Sequence, residues 1–198
     1  NENRETIIDI VRKTAKECFV PLTVGGGVRT IKNITELLLA GADKVSINTA
    51  AVKDPELISK VAKRFGSQCM VLSIEAKKVT NENWEVYTDC GREKTGINVV
   101  NWAQEAFDRG AGEIILTSID HEGTEKGFDC QLIQVVSEAV SIPVIASGGF
   151  GHFEDFEKSV NSGASAVAIA GNLHYEKTTV SEIRNSALLK GMKVREVC

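Results

Sequence analysis

The sequence contains no apolar run that approaches the roughly 18–20 residues of a membrane-spanning helix. It has no apolar signal region at its start, where Asn1 to Arg4 are polar, and it does not begin with methionine. The net charge is −4, and basic residues form no stripe along the chain. These absences argue against a membrane protein and against a nucleic-acid partner.

Cysteines with the spacing of a metal or redox site are also missing. The five cysteines are odd in number and scattered, and no C-x-x-C occurs. This pattern is typical of reduced thiols in a cytoplasmic protein, and it favours neither a disulfide framework nor a zinc site. His121 and His174 stand alone, which favours loop positions over metal ligation. The sequence therefore predicts no metal and no cofactor. The cysteines are Cys18, Cys69, Cys90, Cys130 and Cys198.

What the sequence does contain is an alternation of short β-branched runs with longer amphipathic stretches. Apolar residues make up 42% and charged residues 25% of the 198 residues, as in soluble globular proteins. Runs such as Val167–Ala170 are apolar throughout, as expected for parallel strands buried on both faces. The alternation predicts an α/β fold with a parallel sheet. The predicted strands are Val20–Val24, Lys44–Asn48, Cys69–Ile74, Glu113–Thr117, Pro143–Ala146 and Ala166–Ala170. The predicted helices are Glu5–Lys16, Ile31–Ala40, Pro55–Arg64, Val99–Arg109, Gln131–Ala139, Phe153–Asn161 and Val180–Lys190.

One segment departs from this alternation. Lys77–Lys94 contains Trp84–Thr88, in which apolar and polar residues alternate. We expect it to form a β-hairpin inserted into a strand–helix loop.

An internal repeat defines the architecture. Val20–Gly27 resembles Ile142–Gly149, and Gly41–Ile47 aligns with Gly163–Ile169 at the same offset of 122 residues. This period is too long for a solenoid, and it fits two half-barrels of four strand–helix units each. We therefore expect a (β/α)8 barrel, which typically needs ~250 residues. Because six strands are predicted here, residues 1–198 would be a single barrel domain whose first two strands precede residue 1. The alternative is an open, doubly wound sheet.

Glycine-rich turns follow the repeated strands. Gly25–Gly27 and Gly148–Gly149 each lie between a predicted strand and a predicted helix. Glycine there lets backbone N–H groups approach a phosphate, and the helix N-terminus adds a favourable dipole. The repeat predicts two such sites and a ligand with a phosphate at each end; the alternative is that the glycines only form tight turns. The first site would use Gly27, Asn48 and Thr49, and the second Ser147, Gly148, Gly149, Ala170 and Gly171.

Carboxylates follow two of the central predicted strands. Glu75 and Asp120 lie where the catalytic residues of such barrels project, at the C-terminal ends of strands. Glu75 would lie between the two phosphate sites, where it can move protons to and from a substrate. The alternative is a salt bridge to Lys77 or Lys78. Glu122 and Thr124 extend the loop after Asp120, and we expect this loop to order around a phosphate.

Several motifs resemble those of one enzyme family. Pro21–Arg29, Gly41–Val52, Phe65–Gln68, Gly110–Asp120 and Ile145–Gly149 are similar to the cyclase subunits of imidazole glycerol phosphate synthase, and the resemblance extends over essentially the whole chain. It implies a cytoplasmic (β/α)8 barrel that acts in histidine biosynthesis as a lyase. Such a subunit pairs with a glutaminase as a heterodimer and receives ammonia from it. It converts a bis-phosphorylated ribulosyl aminoimidazole carboxamide intermediate into imidazole glycerol phosphate and aminoimidazole carboxamide ribotide.

The resemblance also assigns roles to individual residues. Glu75 stands where the family has its fifth-strand catalytic aspartate, and the first-strand aspartate would precede residue 1. Lys44 and Glu113 match a charged gate at the ammonia entrance, and Asp43 and Gln68 match positions that face the glutaminase. The phosphate-binding positions that match are Gly27, Asn48, Thr49, Gly123, Ser147, Gly148, Gly149 and Ala170, while Gly171 stands where the family often has serine.

Two residues depart from the family pattern. The family loop Asp-x-Asp-Gly-Thr reads Asp120-His-Glu-Gly-Thr124 here, and Glu75 also replaces an aspartate. Each change extends the carboxylate by one methylene, roughly 1.5 Å, and a misplacement of ~1 Å can lower a rate ~10²-fold. We therefore expect Glu75→Asp to hold or raise the rate. Two alternatives stay open: a paralogous subunit that channels ammonia to a sugar amidotransferase in surface-polysaccharide synthesis, and a catalytically silent partner that activates the glutaminase.

Overall fold

The structure, a computed structural model, describes residues 2–195, with side chains from residue 7 onward. Strands and helices alternate along it, as the sequence predicts. The strands are β1 Thr23–Gly25, β2 Lys44–Ile47, β3 Met70–Thr80, β4 Asn83–Thr88, β5 Glu93–Asn98, β6 Glu113–Ser118, β7 Val144–Ser147 and β8 Ala166–Ala168. The helices are α1 Glu2–Glu17, α2 Ile31–Leu39, α3 Thr49–Lys53, α4 Glu56–Phe65, α5 Val99–Asp108, α6 Cys130–Ala139, α7 Phe153–Asn161, α8 Gly171–His174 and α9 Val180–Leu189.

Six of the strands form a parallel sheet in the order β1-β2-β3-β6-β7-β8. This order never reverses, so the sheet has no switch point of the kind that defines a doubly wound fold. The arrangement is that of the (β/α)8 barrel, and the doubly wound alternative is wrong. Among the described residues, β1 pairs with β2 alone and β8 with β7 alone, so the sheet is open at both edges.

The core lies between this sheet and the helices. The centre of β3 is apolar, and Leu72 and Ile74 are fully buried there. The amphipathic helix α4 turns Ile58 and Val61 inward, where both are also fully buried. Buried residues alternate with half-buried ones along β2, β6 and β7, so one face of the sheet is covered more fully than the other.

The predicted hairpin is confirmed, and it is larger than the sequence indicates. The strand predicted to end at Ile74 continues to Thr80, because Glu75–Lys78 pair with β4 in antiparallel register. A further strand, β5, pairs with β4 and was not predicted. Trp84 anchors this extension: its ring is buried, and its Nε1 donates to Asp129 Oδ2 at 2.9 Å.

The repeat of 122 residues is confirmed by the residues that pair between neighbouring strands. Thr23 pairs with Lys44 in the first copy, and Ile145 pairs with Ala166 in the second, at the same offset. Helices α2 and α7 begin and end at equivalent residues. The short helices α3 and α8 also correspond, although their five and four residues were too few to show a helical period in the sequence.

Other sequence predictions can be compared with the described residues. Cys18, Cys69, Cys90 and Cys130 are free thiols, and Cys198 lies outside the described part of the chain. Across residues 2–195, no helix combines the length and apolar character that a bilayer span requires. In the same range, no group of three histidine, cysteine or acidic side chains is arranged to hold a metal ion.

Candidate functional site

The carboxyl ends of the six parallel strands meet at one edge of the sheet, and two cavities open there. The first, which we call cradle 1, has a volume of about 650 Å³ and follows β1 and β2. It is lined by Gly27, Asn48, Thr49 and Glu75, so the structure brings these four predicted residues together. Arg29 and Lys53 also line it, and they give this cavity two cationic side chains.

The second cavity, cradle 2, has a volume of about 280 Å³ and follows β7 and β8. It is the repeat equivalent of cradle 1. Tyr175 stands at the position equivalent to Lys53 of cradle 1, so a phenol replaces a cation there, and Glu122 adds a carboxylate. The predicted residues that line cradle 2 are Gly123, Ser147, Gly148, Gly149, Ala170 and Gly171. The two cradles therefore lie at opposite ends of the strand order, with β3 and β6 between them.

Equivalent glycines in the two cradles have different surroundings. Gly27 and Gly149 both have positive φ angles, of 66° and 106°. A Cβ atom at Gly27 would meet nothing within 4 Å, whereas one at Gly149 would lie 2.1 Å from the carbonyl oxygen of Gly127. Gly149 also accepts a backbone hydrogen bond from Gly127 N at 2.8 Å. Gly149 thus has a structural role, and Gly27 faces open space.

Glu75 lies at the wall of cradle 1, inside the extended strand β3 rather than after it. Its Oε2 accepts hydrogen bonds from Asn48 Nδ2 at 3.0 Å and from the backbone N–H of Gly91 at 2.8 Å. Burial raises the pKa of the Glu75 carboxyl above its ordinary value, and the nearby carboxylate of Glu122 adds to this, while the two hydrogen bonds oppose it. A carboxyl group with a raised pKa is suited to proton transfer near neutral pH.

The proposed salt bridge of Glu75 with a neighbouring lysine does not form. The ammonium group of Lys77 lies 5.7 Å from the ring centre of Tyr87, and that of Lys78 lies 5.1 Å from the ring centre of Trp84. The Glu75 carboxylate therefore faces cradle 1 and is not paired with either lysine of its own strand, β3.

The loop after β6 is held by local hydrogen bonds. Asp120 Oδ2 accepts from the backbone N–H of Lys78 at 2.8 Å, which ties this residue to β3 and away from the cradles. The Thr124 hydroxyl donates to the His121 carbonyl at 2.7 Å and so closes a turn. Of the loop residues that the sequence singles out, Glu122 and Gly123 reach cradle 2.

At the opposite edge of the sheet, Lys44 and Glu113 form an ion pair between the first residues of β2 and β6. Both side chains are largely buried, with exposed fractions of 25% and 21%. Asp43 Oδ2 accepts from the backbone N–H of Leu22 at 2.7 Å, and Gln68 Nε2 donates to the Phe65 carbonyl at 3.3 Å. The four residues that the resemblance assigns to the ammonia entrance and the partner therefore belong to the N-terminal edge.

Arg29 and Lys53 are not among the site residues predicted from the sequence. Arg29 directly follows the Gly25–Val28 turn, and a cation beside a glycine turn is a signal for anion binding that could have been used. Lys53 gave no such signal, because it reaches the cavity only through the short helix α3.

The fold and these cavities define a class of protein: a strand–helix barrel with paired, glycine-lined cradles at the carboxyl ends of its strands. A family model described as "Histidine biosynthesis protein" matches residues 1–179. The imidazole glycerol phosphate synthase subunit HisF of Endomicrobium trichonymphae is 49% identical over 197 residues, which cover 100% of this chain and 76% of that protein. The chain belongs to the histidine biosynthesis protein family.

Proposed function

We propose that this chain is the cyclase subunit of imidazole glycerol phosphate synthase, a cytoplasmic lyase that forms a heterodimer with a glutaminase. With ammonia from that partner, it would convert the bis-phosphorylated ribulosyl intermediate into imidazole glycerol phosphate and aminoimidazole carboxamide ribotide. The observation that carries the proposal is the pair of repeat-related cradles on either side of the strand that holds Glu75. Membership of the histidine biosynthesis family supports it.

The cradles suit a substrate with a phosphate at each end. In cradle 1, the exposed turn at Gly26 and Gly27 leaves open space beside its backbone, and Arg29 and Lys53 supply positive charge. In cradle 2, Gly171 opens the short helix α8, and a Cβ there would also meet nothing within 4 Å. Backbone N–H groups in open glycine turns can approach phosphate oxygens closely. A ligand bound at both ends would stretch across the carboxyl edges of β3 and β6, past Glu75.

Glu75 would then serve as the acid–base group. It is half-buried at the wall of cradle 1, and burial raises the pKa of its carboxyl. A raised pKa makes this carboxyl better suited to accept a proton from the substrate and return it. A second carboxylate, from a first strand ahead of residue 1, would complete the pair that the resemblance implies.

Ammonia would enter from the N-terminal edge of the sheet. The Lys44–Glu113 ion pair links β2 to β6 at this edge, and in this proposal ammonia passes beside it. Asp43 and Gln68, on the same edge, would contact the glutaminase.

The domain would be completed by two further strands. The open edges at β1 and β8, and the six parallel strands where a barrel needs eight, support this proposal.

The test is turnover of the bis-phosphate substrate by the natural full-length protein, with ammonium salt in place of the glutaminase. We expect turnover, and we expect Glu75→Gln to lower it by roughly 10²–10⁴-fold with substrate binding nearly unchanged. The matched control is Glu82→Gln, at the exposed tip of the hairpin, which should leave turnover unchanged. If the full-length protein binds the substrate but never turns it over, the channelling paralogue or the silent partner replaces this proposal.

A further inference from the structure

The two hydrogen bonds to Glu75 both end on the same carboxylate oxygen. Asn48 Nδ2 and the backbone N–H of Gly91 donate to Oε2, at 3.0 and 2.8 Å. From the residues that the structure describes, no hydrogen bond reaches Oε1. The carboxylate is thus held at one oxygen, and the other is left available to a substrate within hydrogen-bond reach.

The orientation of the Asn48 side chain is fixed by its neighbours. Its Nδ2 also donates to the backbone carbonyl of Tyr87, at 3.1 Å. Both neighbours, the Glu75 carboxylate and this carbonyl, accept hydrogen bonds, so the amide nitrogen must face them. The Asn48 side chain therefore links Glu75 to the end of β4, and its amide nitrogen is not free to bind a phosphate.

The Gly91 donor comes from a turn of unusual geometry. Asp89, Cys90 and Gly91 have successive positive φ angles of 50°, 60° and 73°. Cys90 is a residue that rarely adopts this conformation, and such strain persists only where surrounding contacts hold it. One of those contacts is the hydrogen bond from Asp89 N to Thr49 Oγ1, at 3.1 Å. The turn therefore joins the hairpin to the first residue of helix α3.

We propose that Asn48 and the Asp89–Gly91 turn form a clamp that positions Glu75 and is matched to the length of a glutamate. This inference rests on the proposed acid–base role of Glu75 and goes beyond it. An aspartate at this position would withdraw its carboxylate by one methylene, roughly 1.5 Å. Starting from 3.0 and 2.8 Å, a withdrawal of that size is enough to lengthen and weaken both hydrogen bonds. The longer side chain, which departs from the family pattern, is thus accommodated by its own pair of donors.

The clamp also acts on the charge of the carboxylate. Hydrogen bonds from Asn48 and Gly91 favour the ionised form, whereas burial and the carboxylates of Glu122 and Asp89 disfavour it. The cations Arg29 and Lys53 line the same cavity. Removal of one donor should therefore raise the pKa of Glu75, while the other charged groups stay in place.

The first test is Asn48→Ala in the full-length protein, assayed with the bis-phosphate substrate and ammonium salt. We expect kcat at neutral pH to fall about tenfold, and the limb of the kcat–pH profile that reports Glu75 to move up by about one pH unit. The control is Asn83→Ala, which removes an exposed amide from the far end of the hairpin, where it bonds Thr80. A change in KM alone, as expected for a phosphate contact, would overturn the clamp.

The second test is a double-mutant cycle with Glu75→Asp. We expect Glu75→Asp to lower kcat, against the expectation from family resemblance, and Asn48→Ala to have less than about a twofold further effect in that background, because the contact is already weakened. If Glu75→Asp is as fast as the original protein, or if the two effects multiply, the carboxylate is not held in this way.

A third measurement separates the clamp from the proposed function. The pKa of Glu75 can be followed by NMR of its side-chain carboxyl carbon, without any turnover. If the full-length protein is inactive, the proposed function fails, and a higher Glu75 pKa in Asn48→Ala than in Asn83→Ala still supports the clamp. Equal pKa values in the two variants overturn it, whether or not the protein is active.

Discussion

Two glycines at equivalent places in the repeat should differ strongly in what an added methyl group does. Gly27→Ala forces alanine into the left-handed region at φ 66°, but the methyl group meets nothing within 4 Å. The expected loss is about 1 kcal/mol of unfolding free energy, from backbone strain alone.

Gly149→Ala carries at least as much strain, because φ 106° lies outside the left-handed region, and it adds a collision, because its Cβ would lie 2.1 Å from the Gly127 carbonyl oxygen. The loop that contains Gly127 must move away, which costs about 1–3 kcal/mol as overpacking. That movement also breaks the 2.8 Å bond from Gly127 N to the Gly149 carbonyl, worth about 0.5–1.5 kcal/mol. The total loss should be about 3–5 kcal/mol, several times that of Gly27→Ala.

Thermal and urea unfolding of both variants, followed by circular dichroism, measure this difference. For a chain of this size, each kcal/mol lowers Tm by roughly 2–4 °C, so we expect a decrease of about 3 °C for Gly27→Ala and about 10 °C for Gly149→Ala. Equal decreases would refute the argument, since they would mean that backbone conformation alone sets the requirement for glycine. A small decrease in Tm for Gly149→Ala would show that the loop at Gly127 can move without a loss of unfolding free energy.

Three further predictions concern the cradles, the ion pair and the acid–base carboxyl. Gly171→Asp should leave Tm unchanged, because a Cβ there is in open space, but charge repulsion should weaken binding of a bis-phosphate at least about tenfold. Calorimetry compares the affinity of this variant with that of Gly171→Ser, and equal affinities would contradict a phosphate site. Lys44→Met should lower the unfolding free energy by about 2 kcal/mol, because it leaves Glu113 largely buried without its cation, and a second change, Glu113→Gln, should recover part of the loss. Burial raises the pKa of Glu75, so the folded protein holds this proton more tightly than the unfolded chain and loses stability as pH rises from about 4.5 through the raised pKa. Glu75→Gln should therefore stabilise the protein at pH 7 and lose this advantage near pH 4. Urea unfolding measures the difference in unfolding free energy between the variant and the original protein, and the same difference at both pH values would contradict the raised pKa.

Much of the architecture could be predicted because its signals are local. The apolar runs predict buried parallel strands, and the offset of 122 residues predicts two equivalent halves. The glycine turns that follow β1 and β7 predict both cradles, since a strand, a turn and a helix are specified by neighbouring residues. The resemblance of Gly41–Val52 and the other motifs to one family then gave the function class, which the family match supports.

The extension of β3 was missed for a different reason. Glu75–Lys78 continue the strand because they pair with β4, and a pairing partner is not visible in the sequence of the strand itself. The short helices α3 and α8 were missed because so few residues show no period.

The sequence by itself determined which residues could carry charge and where the chain could bend sharply. The tertiary structure decided what those residues contact: Lys44 meets Glu113 across 69 positions, and Glu75 meets Asn48 across 27. It also decided that Gly149 packs against the Gly127 carbonyl whereas its repeat equivalent, Gly27, faces open space. Hydrogen bonds and steric contacts depend on distances of a few ångströms between atoms, and such distances between residues remote in the chain are set only when the strands and helices pack together.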